Sequence, residues 1–311
     1  MRISKHPTLK KGATLIAVFW IMAVMGLALV ATTKISRYQS DVAGSQINGI
    51  EARQYAEMGI NLACNPAVEE WEFILRQSFE NGAGFEAKIL SEGGRFNINY
   101  ILFQEDKKLL RDIFQKWGVD FDVASEIADA LIDWIDEDDD VNLNGAEIDY
   151  YLGQGFENRP FNRPFYDLDE VRLVRGMDLV EAFNPRWRDW FTVWSSGGLD
   201  VEEAPAELLA MATETNVEEA IGVVEIADGP DGIRNTEDDA PLSVDEVMAQ
   251  LGVDENSDPS GVIRGRLNSG DQVKRIESIG FVGSIRRKVV LIINNRSQNP
   301  TILDRKEVVI Q

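Results

Sequence analysis

From Gly12 to Thr33 the chain reads G-A-T-L-I-A-V-F-W-I-M-A-V-M-G-L-A-L-V-A-T-T, with no charged residue between Lys11 and Lys34. A helix of that length is about 30 Å long, enough to cross the hydrocarbon layer of a bilayer. From Lys34 to Cys64 the pattern turns amphipathic. Ile35, Val42, Ile47, Ile50, Tyr55, Met58 and Leu62 recur at helical spacing, no proline intervenes, and Pro66 is the first breaker. One helix of about 50 residues is therefore expected. An anchor followed by a separate surface helix, broken at Gly44 or Gly49, is the alternative. A short helix is read over Glu69 to Ser78. The period then changes to two: Phe85, Ala87 and Ile89, a Gly93-Gly94 turn, then Phe96, Ile98 and Tyr100 read as a hairpin. Three further strand patterns close the chain. They lie around Val273 to Ile279, over Arg287 to Asn294 and from Lys306, with turns at Gly283-Ser284 and Asn299-Pro300.

Between these strand groups the pattern is helical. Phe103 to Trp117 and Asp122 to Ile135 are the clearest segments, the second with Ala124, Ile127, Ala128, Leu131, Trp134 and Ile135 on one face. Shorter helices are read over Asp167 to Val174, Val180 to Phe183, Asn216 to Ala227 and Ser243 to Gly252, and another starts at Ala204-Pro205. The fold class is α+β, with a long N-terminal transmembrane helix, an antiparallel sheet and a large helical domain inserted between strands. The division is a basic leader (1–12), the span (13–33), the amphipathic half-helix with the first strands (34–99), the helical insert (100–268) and the closing strands (269–311).

Charge sharpens this. Arg2, Lys5, Lys10 and Lys11 precede the span without an acid, which keeps that end cytoplasmic and sends the rest of the chain across the inner membrane. The net charge is −22, and loss of the leader would make it more negative, a surface that repels nucleic acid and anionic lipid. The 311 residues contain one cysteine, Cys64, and one histidine, His6, so neither an intrachain disulfide nor imidazole chemistry is available beyond the leader.

Two acidic stretches stand out. Residues 136–147 read D-E-D-D-D-V-N-L-N-G-A-E. Oxygen ligands at alternate positions suit Ca²⁺, which takes six to eight oxygens; Mg²⁺ prefers fewer protein ligands in a stricter octahedron. Asp140, Asn142, Asn144 and Gly145 match the first half of an EF-hand loop, but its twelfth position is Tyr151. A true EF-hand is thus rejected in favour of a Ca²⁺ loop of another shape. Its candidate ligands are Asp136, Asp138, Asp140, Asn142, Asn144 and Glu147, with Asp149 another way to close the shell. The second stretch, Asp228 to Asp239, offers Asp228, Asp231, Asn235, Asp238 and Asp239 around the turn residues Gly229, Pro230 and Gly232. Solvated acidic turns are the alternative for both.

Lys10-Lys11-Gly12-Ala13 places a glycine before the apolar run, not after it. This resembles the leader of type IV pilins and pseudopilins, which implies cleavage after Gly12 by the prepilin peptidase, leaving Ala13 first. A plain single-span anchor is the alternative. Most family members carry a glutamate at the fifth mature position; here it is Ala17. The motifs Gly94-Arg95-Phe96-Asn97, Asp133-Trp134-Ile135-Asp136, Asn162-Arg163-Pro164-Phe165, Arg175-Gly176-Met177 and Leu199-Asp200-Val201-Glu202-Glu203-Ala204-Pro205 occur in the order seen in the type II secretion protein K family, which the chain resembles from Lys11 to about Gln311. The resemblance implies a pilin-like fold and a minor pseudopilin at the tip of the periplasmic pseudopilus. It also implies partners among minor pseudopilins I and J (and H) and structural Ca²⁺ in the insert. A type IV pilus minor pilin is the nearest alternative. A membrane-anchored metal-dependent hydrolase lacks the histidine such sites usually employ. Leu199 to Leu209 is similar to half of a helix-hairpin-helix but carries Asp200, Glu202, Glu203 and Glu207 where phosphate binding needs basic residues, so no nucleic-acid partner is expected.

Overall fold

The computed structural model describes residues 11–80, 82–254, 256–297 and 299–310, and for residues 11–14 the backbone alone. The leader residues Met1 to Lys10, with His6, lie outside the described residues; Gly12 and Ala13 stand in the first turn of the first helix.

That helix, α1 (Lys11–Ala63), is a single run of 53 residues, unbroken at Gly44 and Gly49. It is long and apolar enough to cross a membrane, and the apolar window is uncovered. It ends where Pro66 requires. Arg296 takes up its last carbonyl and two just beyond it: Nε donates to Ala63 O (3.0 Å), and Nη2 donates to Asn65 O (2.7 Å) and to Val68 O. A cation at a helix C-terminus both fills orphan acceptors and opposes the dipole.

The sheet is antiparallel, in the order β1 (Arg76–Ser78), β2 (Ala83–Ser91), β7 (Val273–Val282), β8 (Ile285–Asn294) and β9 (Thr301–Ile310). Its two halves are far apart in sequence, joined by the β2–β7 register from Ala83↔Val282 to Ser91↔Lys274. Alternation puts Ala87, Ile89, Ile276, Val289, Leu291 and Ile293 on one face, where Ala56, Ile60 and Ala63 of α1 cover them. The helix seam is made of small residues, so the backbones approach closely. A Cβ on Gly280 would lie 1.9 Å from Ala52 O and 2.4 Å from Ala56 N.

Everything between β2 and β7 is largely helical, built on a second core around Trp134, Trp187, Phe114 and Leu131. In chain order it holds β3 (Phe96–Asn97), α2 (Ile98–Phe103), α3 (Lys107–Lys116), α4 (Phe121–Ile135), α5 (Ile148–Gly153), α6 (Leu168–Val171) and α7 (Met177–Phe183). There follow β4 (Phe191–Thr192), β5 (Leu199–Asp200), α8 (Ala206–Thr213), α9 (Val217–Ala227), α10 (Val244–Gln250), α11 (Val262–Gly265) and β6 (Leu267–Asn268). The short strands pair in parallel, β3 with β4 and β5 with β6. Ser243 opens α10 with a full capping box to Glu246.

Buried charge fixes the insert on the sheet. Asp200 is fully buried and accepts from Ser91 Oγ (2.7 Å) and from Asp271 N (3.0 Å). Glu92 takes Arg95 (2.7 Å) and Thr192 Oγ1 (2.6 Å).

Three local expectations are corrected. The segment 69–78 is not a helix: it makes turns and a 3-10 turn (Phe73–Leu75), then pairs as β1 with β2, whose edge satisfies its backbone. The hairpin read at 85–100 does not form. Asn97 instead caps a helix, its Oδ1 accepting from Tyr100 N (3.2 Å), and Ile98, Ile101 and Leu102 bury one helical face. The helix read over 103–117 begins only at Lys107: Phe103 closes α2, Glu105 takes φ +50° and Asp106 caps α3 afresh.

Candidate metal centre

Helix α4 is apolar on its buried face except at two positions, Asp129 and Asp133, one turn apart. Both reach into the acidic loop that follows. Asp129 accepts from Lys107 Nζ (2.7 Å) and from Asn144 N (3.2 Å). Asp133 accepts from Asn142 N (3.2 Å), Asn142 Nδ2 (2.6 Å) and Ala146 N (2.7 Å). The loop is thus wound onto the helix by its own backbone donors. Gly145 is required there, since a Cβ at that position would sit 1.8 Å from Asp133 Oδ2.

This winding brings Asp133, Asp136 and Glu147 together, one ligand oxygen from each lying within 4.8 Å of the others. Glu147 is 2% exposed, and neither of its oxygens has a hydrogen-bond partner among the described residues; Asp136 Oδ1 is likewise buried and unpaired. Buried carboxylate oxygens without donors are costly. Burial first, and the neighbouring Asp133 second, push the Glu147 carboxyl up to about 7 and the Asp136 carboxyl up to about 6. Converging carboxylates that lack donors are what a hard divalent cation neutralises, so the residues fit such an ion.

A pH dependence follows. Both acids hold a proton in the folded state at pH values where the unfolded chain has lost it. Folding then binds protons, and stability falls as pH rises. In chelator, the denaturation midpoint is expected to decline from pH about 4.5 to just above 7 and then level off; a midpoint that rises over this window would contradict the assignment.

Of the first predicted set, Asp136 and Glu147 join the cluster. Asp138 turns its carboxylate to Asp140 N (2.9 Å), and Asp140 is exposed. Asn142 is held between Asp133 and Lys107, and Asn144 meets Asp129 through its backbone. Asp149 is exposed, and Tyr151, the failed EF-hand position, packs against Trp134 in the core. Asp133 is the member that sequence spacing missed. Its signal was a pair of acids, i and i+4, on an otherwise apolar stripe.

The second stretch is arranged differently. Asp228 pairs with Arg234 (2.7 Å). Asp231 accepts from Ile233 N (2.7 Å), Asp238 from Asp231 N (3.2 Å) and Asp239 from Asn235 N (2.7 Å). These acids are satisfied by their own turn. Asn235 points outward to two acids from elsewhere in the chain. With its amide nitrogen turned toward them, it donates to Glu70 Oε2 (2.8 Å) and Glu203 Oε1 (3.2 Å). Burial, then Glu70, pushes the Glu203 carboxyl up to about 7. Among the described residues, the first loop alone brings three acidic ligand atoms into one cluster.

Residues 94–185, which include this centre, match the family model for the type II secretion system (T2SS), protein K. Type II secretion system protein K of Klebsiella pneumoniae is 25% identical over 191 residues, covering 54% of this chain and 59% of its own length. The Pseudomonas aeruginosa protein of the same name is 27% identical over 166 residues, covering 51% of this chain and 49% of its own. That of Dickeya chrysanthemi is 39% identical over 71 residues, 23% of this chain and 19% of its own. The chain thus spans about half the length of the first two relatives. In fold it is similar to a chain in the crystal structure of the GspK-GspI-GspJ complex from enterotoxigenic Escherichia coli, with a TM-score of 0.58 at 17% identity, over 88% of this chain and 99% of that one. In sequence over residues 94–185 and in fold over most of its length, this chain is thus similar to type II secretion system protein K.

Proposed function

We propose that this protein is a minor pseudopilin that caps the tip of the periplasmic pseudopilus and supports export of folded proteins across the outer membrane. The observation that carries the reading is the pairing of an uncovered apolar rod with an oversized head. Along α1, Leu15, Phe19, Trp20, Met25 and Leu29 are all exposed, a surface suited to lipid before assembly and to other helices after it. The helical insert adds bulk beside the sheet that a subunit stacked above would meet. Ala17 leaves no carboxylate for a subunit below. Both features suit a subunit added once, at the end.

On this reading the inner membrane holds residues 13–33 and the remainder is periplasmic. The prepilin peptidase cuts between Gly12 and Ala13. The partners are minor pseudopilins I and J, as in the solved complex of the structural relative, together with H. Ca²⁺ is a structural ion. Asp136 and Glu147, with Asp133, hold it in the first loop; the Asp228 to Asp239 turn, with Asn235 aimed at Glu70 and Glu203, is the second place. The role is one of assembly, without catalysis.

The test is N-terminal sequencing of the protein co-expressed with a prepilin peptidase. Ala13 at the N-terminus is the expected result; an uncut chain would return the reading to a plain anchored protein.

A further inference from the structure

Between α2, the start of α3 and α11 lies a cavity of about 210 Å³. Its floor is apolar, made by Phe96, Ile101, Leu109 and Leu199, all of them buried. At its mouth Tyr100 Oη donates to Gly265 O (2.9 Å), which ties α2 to α11. Two charged residues reach its wall, Asp106 and Arg266. They pair with each other (2.6 and 3.1 Å), and Arg266 also donates to Ala212 O (3.1 Å) and Glu214 (2.9 Å). The cavity therefore offers a guest no free charge. A dry cavity of about 150 Å³ is enough to hold benzene, so this one admits a single ring or a branched aliphatic side chain.

Another part of the wall is Gly197-Gly198. Both residues are buried, yet no backbone nitrogen or oxygen of either forms a hydrogen bond among the described residues. Such groups are rarely left bare in a folded interior. The loop that carries them is pinned on both sides. Ser195 O accepts from Asn97 Nδ2 (2.6 Å), Ser196 N donates to Asp271 Oδ2 (3.0 Å), and Leu199 N donates to Arg266 O (2.7 Å). Unmet backbone donors and acceptors beside a ring-sized hole suit a peptide, whose main chain answers the first and whose side chain fills the second. The cavity adjoins a groove of about 820 Å³, and Ser260 and Gly261 line both. Gly261, at φ +68°, has no side chain to bar the passage. Met248 and Val253 run along the groove, and Asp245, Asp254 and Asp258 stand there against one cation, Arg264.

We propose that cavity and groove together hold an extended peptide segment of a partner protein. One aromatic or branched aliphatic side chain fills the cavity, the backbone beside it pairs with Gly197-Gly198, and a neighbouring lysine or arginine lies among the groove carboxylates. Each part of the occupant answers a separate observation. An acidic peptide would be repelled by Asp245, Asp254 and Asp258. Water alone would serve the amides but leave the apolar floor uncovered. The site is built wholly from the insert, with no residue of α1 or of the five-stranded sheet, and goes beyond the function proposed above.

The experiment uses the full chain in nanodiscs as bait for a display library of random heptapeptides. The recovered sequences are expected to share an aromatic or branched aliphatic residue with a lysine or arginine close by. A carbon added at Gly197 lies 3.6 Å from Tyr100 Cε2, an ordinary contact, so Gly197→Leu puts its side chain into the cavity. That variant is expected to bind a recovered peptide about tenfold more weakly while melting no lower than the parent. Asp245→Lys, at an exposed rim position, is expected to weaken the same peptide about threefold, and decides the matter if Gly197→Leu does not fold. The proposal is overturned if no sequence is enriched, if the enriched sequences are acidic or lack the apolar residue, or if the deciding variant binds as the parent does. Full displacement of the peptide by equimolar p-cresol would also overturn it and give the cavity to a small free ring. No other pseudopilin enters the test, so its failure leaves the function proposed above standing.

Discussion

Millimolar calcium will raise the melting temperature of the purified protein, and Glu147→Gln will abolish that response. Glu147 carries the largest unmet demand in the first loop. It is buried, and both of its oxygens lack donors among the described residues. An ion that binds only the folded state at about a thousandfold above its Kd adds about 4 kcal/mol. For a protein of this size that is a shift of roughly 10 °C. The amide removes the charge the ion needs and also the cost of burying it unpaired, so cation-free Glu147→Gln should melt no lower than the cation-free parent. The loop backbone survives the change, because Asp129 and Asp133 hold it independently. A calcium shift that persists in Glu147→Gln would remove this residue from the site, and no shift in the parent would remove the ion.

A second substitution should do more damage with one methyl group. Gly280→Ala is expected to cost upwards of about 4 kcal/mol, because the new carbon meets the backbone of α1 at Ala52 and Ala56, not a side chain that can rotate away. The helix must lift from the sheet, exposing the cluster of Ile89, Ile276, Val289 and Leu291. Hydrogen exchange should localise the loss to β2, β7 and β8, with the core around Trp134 still protected. Gly222→Ala is the control: it lies in α9 with nothing within 4 Å of its added carbon, and should be neutral or slightly stabilising. A Gly280→Ala protein that melts with the parent would show that the helix does not sit where the seam places it.

The long helix, the closing strands and most of the insert's helices were legible because period, proline and capping residues agreed. Pro66 marked the end of α1, the helical pattern from Ser243 gave α10, and Gly283 marked the β7–β8 turn. The failures came where tertiary contacts outweighed local pattern. Phe96, Ile98 and Tyr100 alternate like a strand, yet Asn97 capping and the apolar trio of α2 won. Residues 76–78 became a strand because β2 offered an open edge, which no local signal reports. The centre was half legible. The loop advertised its acids, but the one that organises it, Asp133, lies on the preceding helix and is hidden among core residues.

The interrupted sheet also dictates a sequence of events during synthesis. Strand β2 finishes at Ser91 and waits for Lys274 to emerge before it gains its central neighbour. The helical segment, rich in nearby contacts, can settle early, whereas α1 stays without its sheet until nearly the whole polypeptide has been made. A nascent chain halted before residue 273 would therefore display a finished head on an undocked, sticky tether, which is the form most exposed to proteases and most in need of a holding factor.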